Sequence, residues 1–216
     1  MIEVKGVSKQ FRNETAIHYG DLLFETGKKY MLLGASGCGK STLLNMIAGI
    51  LTPDTGEILM DGTAMNRKSQ QEKDRFRIDR IGYIFQDFKL LEDMTVADNI
   101  ELLRLERVDV TQMDALLKSL DIYSQKNKKV RHLSGGQKQR VAIVRALVKK
   151  PEIILADEPT GNLNFEIGKQ VVAELSRAAS GRTLIAVTHD ERLAEYFDVV
   201  LDMNKVTSQN GGGVAC

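Results

Sequence analysis

Between the apolar run at residues 30–33 and a stretch of apolar residues at helical spacing stands Gly34-Ala-Ser-Gly-Cys-Gly-Lys-Ser41, and no other segment constrains the fold as much. A strand feeding a glycine-rich turn feeding a helix is one α/β unit. In that context the match to G-x-x-x-x-G-K-[ST] carries physical meaning. Glycines let the backbone curl so that several N–H groups point inward, and the helix opening at Ser41 adds its positive dipole end. Phosphate is the group such a loop cradles. The backbone of Gly34, Ala35, Ser36, Gly37, Cys38 and Gly39 is expected to hold the β-phosphate, and the Lys40 charge to meet the β/γ oxygens. Ser41 gives a hydroxyl for Mg²⁺, which keeps most of its octahedral positions for phosphate and water, and Thr42 caps an α-phosphate contact.

Strands are expected at 2–7, 57–60 and 81–85, and a helix at 41–51 burying Leu43, Leu44, Met46, Ile47, Ile50 and Leu51. Residues 66–80 are nearly all polar and read as a solvated helix with no assigned function. From 87 to 150 helical patterns dominate, clearest at 96–105, 113–120 and 135–149. Apolar strands return at 153–156, 183–187 and 199–201 around a helix at 167–179, which suits a buried parallel sheet. The expected organisation is one α/β domain: a core lobe of 1–86 and 151–205, a helical lobe of 87–150, and a flexible tail of 206–216 ending in three glycines, Val214, Ala215 and Cys216.

The strand at 153–156 delivers Asp157 and Glu158 to its C-terminal end, where ligands collect in open α/β sheets. Asp157 is expected to hold Mg²⁺ through its water shell. Glu158 is placed to orient and deprotonate the water that attacks a γ-phosphate. Taken alone, Asp157-Glu158-Pro159 would equally read as a strand end and turn. The phosphate loop tips the balance, because Mg²⁺-bound phosphates demand an acceptor nearby. His189 follows another strand, and although a lone strand-end histidine is usually structural, its place suits donation to a γ-phosphate oxygen. Gln86, at the end of the strand at 81–85, can offer its amide oxygen to Mg²⁺ or water.

Charge says little about partners: 30 basic against 29 acidic residues leave a formal +1, so no global field steers the chain to nucleic acid or anionic lipid, and no nucleic-acid partner is expected. No run approaches the ~18 apolar residues needed to cross a bilayer, so a membrane role requires a separate polypeptide. The first 15 residues lack the apolar core of a secretory signal, and the mature chain is expected to start at Met1. Two cysteines, Cys38 and Cys216, fit reduced cytoplasmic thiols better than a disulfide framework.

Leu133-Ser134-Gly135-Gly136-Gln137 opens a helix, with Ser134 at the N-cap and Pro151 just past the end, making a second anion-binding helix start. By itself Ser-Gly-Gly is an ordinary cap. Yet phosphate loop, Gln86, this pentapeptide, Asp157-Glu158 and His189 occur in one order, and over residues 1–201 the chain resembles an ATP-binding cassette domain of ABC transporters. The resemblance implies a P-loop NTPase fold of ABC type: a mixed-sheet core lobe, an antiparallel β subdomain and a helical lobe carrying the signature. It implies ATP and Mg²⁺ as cofactors, and a homodimer or a pair with a closely related ATPase subunit. Ser134, Gly135, Gly136 and Gln137 would then close over ATP held by the opposite phosphate loop. It also implies an aromatic stacked on adenine, which Phe11 matches, although a core or turn aromatic is the alternative.

Phe85 to Leu91 and Leu155 to Leu163 are similar to the macrolide-exporter and lipoprotein-releasing branch. That similarity implies a transmembrane permease on a separate chain, docking near Gln86 to Met94 and holding this subunit at the cytoplasmic face of the membrane. The function implied is export, or extrusion of lipid, lipoprotein or antimicrobial compounds. The alternative is a non-transport mechanotransmission ATPase paired with a permease-like regulator of cell-wall hydrolysis. One position departs from the family: Asn164 stands where Asp is usual, in a loop that crosses to the other subunit.

Overall fold

The structure is a computed structural model that describes residues 1–12 and 15–208. In chain order it contains β1 (Ile2–Lys9), β2 (Ile17–Tyr19), β3 (Leu22–Phe24), β4 (Lys29–Leu33), α1 (Lys40–Ile47), β5 (Thr55–Met60), β6 (Thr63–Ala64), α2 (Gln70–Arg80) and β7 (Ile81–Ile84). There follow α3 (Val96–Glu101), α4 (Met113–Ser119), α5 (Gly135–Leu147), β8 (Ile153–Asp157), α6 (Phe165–Ala178), β9 (Thr183–Thr188), β10 (Val199–Asp202), α7 (Met203–Val206) and β11 (Thr207–Ser208).

Parallel and antiparallel strands separate into two sheets. The order β10-β4-β9-β8-β7 is parallel at every pairing, so the C-terminal ends of these strands share one edge. The other sheet runs β11-β2-β1-β5-β6, with β3 also pairing β1, and its pairings are antiparallel.

Strands β8 and β9 are apolar through their centres, Ile153 to Ala156 and Leu184 to Val187, because both of their faces are covered. Successive side chains alternate between the faces. Ile154, Ala156, Leu184 and Ala186 enter a core shared with α3, α4, α5 and α6, while Ile153, Leu155, Ile185 and Val187 enter one shared with α1 and the antiparallel sheet. Burying one Leu or Ile stabilises by about 1.5–3 kcal/mol, so each face of these strands is strongly fixed. Between β7 and β8 the regular elements are helical, apart from an isolated bridge between Thr95 and Lys129.

Three expectations need correction. The helix at 41–51 stops at Ile47, because Gly49 takes a left-handed φ of 67° and the amides of Ile50 and Leu51 turn back to Asn45 O. Ile50 is thus 44% exposed rather than buried. The helix expected at 167–179 begins at Phe165, since the Asn164 side chain caps it by accepting from the Ile167 amide at 3.0 Å. Finally, Val206 ends α7 and Thr207–Ser208 pairs with β2, so these residues are not part of a tail. The rest of the expected tail, including Cys216, lies outside the described residues.

Candidate functional site

The phosphate-loop segment leaves β4, which lies between β10 and β9 in the parallel sheet, and enters α1 through Gly39, whose φ is 96°. A Cβ there would be strained and would stand 2.6 Å from the Tyr19 hydroxyl oxygen. That hydroxyl donates to Gly39 O at 2.8 Å. Burial pushes the Tyr19 phenol well above its usual pKa, which keeps the proton needed for this bond. Lys40 is only 6% exposed and donates to Gly34 O and Ala35 O at 2.7 Å each, strapping the loop into its curl. On the loop's outer side Asn204 Oδ1 accepts from the Ala35 amide at 3.4 Å.

Ser41 Oγ donates to Asp157 Oδ1 at 2.7 Å, joining the start of α1 to the end of β8. Burial raises the Asp157 carboxyl, while the Ser41 hydrogen bond and the Lys40 charge oppose the shift. A carboxylate whose charge is disfavoured by burial beside a hydroxyl suits a hard cation such as Mg²⁺. Among the described residues no group of three His, Cys, Asp or Glu could hold a metal alone.

Glu158 follows directly and has a left-handed φ of 46°, a conformation that is costly for a non-glycine residue. Its amide donates to Val187 O at 3.0 Å and its carbonyl accepts from the Gly161 amide at 3.0 Å, which fixes the bend. The carboxylate meets His189 Nδ1 at 3.1 and 3.3 Å, with the Glu158 side chain 13% and the His189 side chain 70% exposed. The carboxylate is thus largely shielded while the imidazole faces out.

These elements open onto one cleft of about 670 Å³. It is lined by Phe11, Ser36, Gly37, Gly39, Lys40, Ser41, Thr42, Gln86, Glu158 and His189, together with Ile17 and Gly161. The structure therefore gathers residues drawn from across the sequence, and Asp157 joins them through Ser41. Gly34 and Ala35 line a smaller hollow with Asn204 on the other side of the loop. Within the loop the Cys38 side chain packs against the loop's own residues: its Sγ is 3.9 Å from Lys40 Nζ, and a Cβ at Gly34 would come within 2.9 Å of it.

Ser134, Gly135, Gly136 and Gln137 do not line the cleft. They form a capping box in which Ser134 Oγ accepts from the Gln137 amide at 3.3 Å and Gln137 Oε1 accepts from the Ser134 amide at 3.0 Å. Gly135 lies against Leu163, and Gly136 lies so close to Ile167 that a Cβ would meet its Cγ2 at 2.8 Å.

Sequence reasoning missed Tyr19, Asn204 and Asn162. Asn162 Nδ2 donates to Gln86 O at 2.9 Å, tying the loop after Glu158 to the end of β7. Nothing in the local sequence pattern marks Tyr19 or Asn204, because each acts through the backbone of a segment distant in the chain.

The model of the family described as "ABC transporter" matches residues 19–161. An uncharacterised ABC transporter ATP-binding protein of Methanocaldococcus jannaschii is 38% identical, over 94% of this chain and 95% of its own. The lipoprotein-releasing system ATP-binding protein LolD of Psychrobacter arcticus is 39% identical, over 82% of each chain. The macrolide export ATP-binding/permease protein MacB of Escherichia coli is 37% identical over all of this chain, which spans 35% of MacB. A dimeric ATP-binding cassette solved in a post-hydrolysis state with ADP and Pi superposes with a TM-score of 0.83 at 32% identity, covering 98% of this chain and 100% of that one. The chain therefore belongs to the ABC transporter family as one of its ATP-binding cassettes, and it resembles the macrolide-export and lipoprotein-releasing branch.

Proposed function

We propose that two such cassettes bind and hydrolyse Mg-ATP between them and drive a membrane permease carried on a separate chain. The observation that carries this reading is the Glu158–His189 pair in the cleft lining, together with Lys40 and the Ser41–Asp157 contact. Phe11 and Ile17, both in the cleft lining, would give the adenine an apolar resting face. The inward amides of the loop and Lys40 hold the phosphates. Mg²⁺ held between Ser41, Asp157 and Gln86 would neutralise charge on the phosphate oxygens.

Glu158 accepts a proton from water as the water oxygen bonds to the γ-phosphorus. The bond from that phosphorus to the bridging oxygen breaks, and ADP leaves with the electron pair. His189, held by Glu158 through Nδ1, presents its other nitrogen outward to a γ-phosphate oxygen. The shielding of Glu158 favours this role, because a base held away from bulk water keeps its orientation.

The second cassette supplies Ser134 to Gln137. Their absence from this chain's own cleft and the dimeric form of the solved cassette both support a shared site. ATP then closes the pair and hydrolysis reopens it, moving the permease. Export or extrusion of a lipid, lipoprotein or antimicrobial compound is the work that the similarity to LolD and MacB favours. Among the described residues no helix is long and apolar enough to cross a membrane, so a permease on another chain would place this one at the cytoplasmic face. The test is purification of the tagged chain from native membranes. Recovery with a polytopic membrane protein that stimulates its ATP turnover is expected, and an isolated chain in the soluble fraction would contradict the reading.

A further inference from the structure

The turn after β7 is held in a conformation that its own residues disfavour. Phe88 and Lys89 are consecutive non-glycine residues with φ of 60° and 48°. Two left-handed residues in succession persist only where the surroundings impose them. Besides the local bonds from the Phe88 amide to Phe85 O and from the Lys89 amide to Asp87 O, the turn is gripped from outside by Arg145, from the last turn of α5. Its guanidinium donates to Phe88 O at 2.7 Å and also to Lys89 O. Among the described residues no carboxylate forms an ion pair with it, so its binding capacity is directed at these two carbonyls.

A second tether lies nearer the start of the same helix. Lys138 Nζ pairs with Glu92 at 2.7 Å, and just before α5 the Arg131 amide donates to Glu92 O at 3.0 Å. The far end of the turn is fixed in its turn by Asn99, whose side chain bonds both the amide and the carbonyl of Leu91 at 2.7 and 3.0 Å. Phe88, Lys89 and Glu92 are therefore tied to α5, and Leu91 to α3. Helix α5 is capped by Ser134, and the turn begins two residues after Gln86, which lines the cleft.

We infer that Arg145 is a positioning residue that makes Gln86 follow the helix bearing Ser134 to Gln137. The proposal rests on the ATPase reading above. When the start of α5 engages nucleotide on the partner cassette, the helix shifts as a rod. Arg145 carries that shift to the Phe88–Lys89 backbone and so to Gln86, in the chain's own cleft. Conversely, displacement of the turn by a docked permease passes back to Ser134. A guanidinium suits this task because its planar fork grips two acceptors at once, whereas an ammonium is a point charge. Arg145 touches no substrate, so its effect should fall on turnover and not on nucleotide affinity.

The experiment uses the full chain with Arg145→Met. The expected result is a fall in kcat of about tenfold with KM for ATP within about twofold of wild type, as for loss of a charged hydrogen-bonding group that acts after binding. The sequence contains no tryptophan, so Phe88→Trp is a single fluorescent reporter on the turn. In Phe88→Trp/Glu158→Gln, ATP should shift its emission. Adding Arg145→Met should abolish that shift while ATP-driven dimers still form by sizing. Should Arg145→Met fail to fold, Arg145→Lys replaces it, with an intermediate kcat and an unchanged KM expected. A folded variant with wild-type kcat, or a reporter that responds to ATP without Arg145, overturns the proposal. A wild-type chain with no ATP turnover would overturn the ATPase reading and this proposal with it, a failure distinguishable from the other two.

Discussion

Replacing Asn164 separates a local role from a communicating one. Its Oδ1 accepts the Ile167 amide at 3.0 Å at the start of the 14-residue helix α6. Asn164→Ala removes the acceptor, at a cost of about 1 kcal/mol. For a domain of this size that lowers Tm by about 2–4 °C. Asn164→Asp keeps the acceptor and adds a negative charge at the positive end of the helix dipole, a gain of about 0.3–1 kcal/mol. Glu166, already acidic in the first turn, reduces that gain by repulsion, so a Tm rise of about 1–2 °C is expected. Thermal melts of the nucleotide-free chain at low salt measure both effects. The coupling role is read separately, as the Hill coefficient for ATP or the stimulation of turnover by permease. Asn164→Asp should raise these by up to about fivefold in the coupling constant, the equivalent of ~1 kcal/mol, with nucleotide affinity unchanged. An Asn164→Ala chain as stable as wild type would refute the cap, and an Asn164→Asp chain less stable than wild type would refute the dipole reasoning. Equal cooperativity in wild type and Asn164→Asp would show that the departure from Asp has no communicating role.

Two other expectations concern single side chains. Burial, reinforced by the Arg77 charge, lowers the pKa of Lys149 from 10.5 to about 8 in the fold. Below pH 8 both folded and unfolded chains carry its proton and the fold bears the full burial cost; between pH 8 and 10.5 the unfolded chain binds more protons, so stability rises with pH. The difference between wild type and Lys149→Met in denaturant melts should therefore change by up to about 3 kcal/mol across that window, less where water reaches the ammonium, and a pH-independent difference would contradict it. Cys38 lies in the phosphate loop and is partly exposed, so maleimide should inactivate the chain, Mg-ATP should protect it, and Cys38→Ser should stay active and resistant; equal labelling rates with and without ATP would separate the thiol from nucleotide binding.

The parts of this molecule that were legible in the sequence are those in which one segment dictates its own environment. The apolar runs at β4, β8 and β9 can be stable only when covered on both faces, and Gly39 before Lys40 declares a turn that a side chain would block. Short strands such as β2, β3 and β6 escape because 2 or 3 residues carry no period, and their pairing with β1 or β5 supplies the structure. The end of α1 was misplaced for a related reason: Ile50 and Leu51 continue the apolar spacing, but Gly49 has already reversed the chain. In the site, Lys40 and Ser41 announce themselves by the glycine-rich motif that opens α1, and Asp157, Glu158 and His189 by chemical type at strand ends. Tyr19, Asn162, Asn204 and Arg145 work by bonding the backbone of a distant segment, and only the folded chain shows which carbonyl or amide each one reaches.

The central claim is that Glu158 removes the proton from water at a site shared by two cassettes. The direct measurement is Glu158→Gln, assayed with Mg-ATP for phosphate release and by sizing for its oligomeric state. Gln preserves the shape and can still face His189, but it cannot accept the proton, and loss of a general base slows turnover by about 10²–10⁴-fold. The account predicts almost no phosphate release together with a dimer that forms in ATP and disperses when ATP is removed. Phosphate release at the wild-type rate, or a monomer throughout, would contradict it.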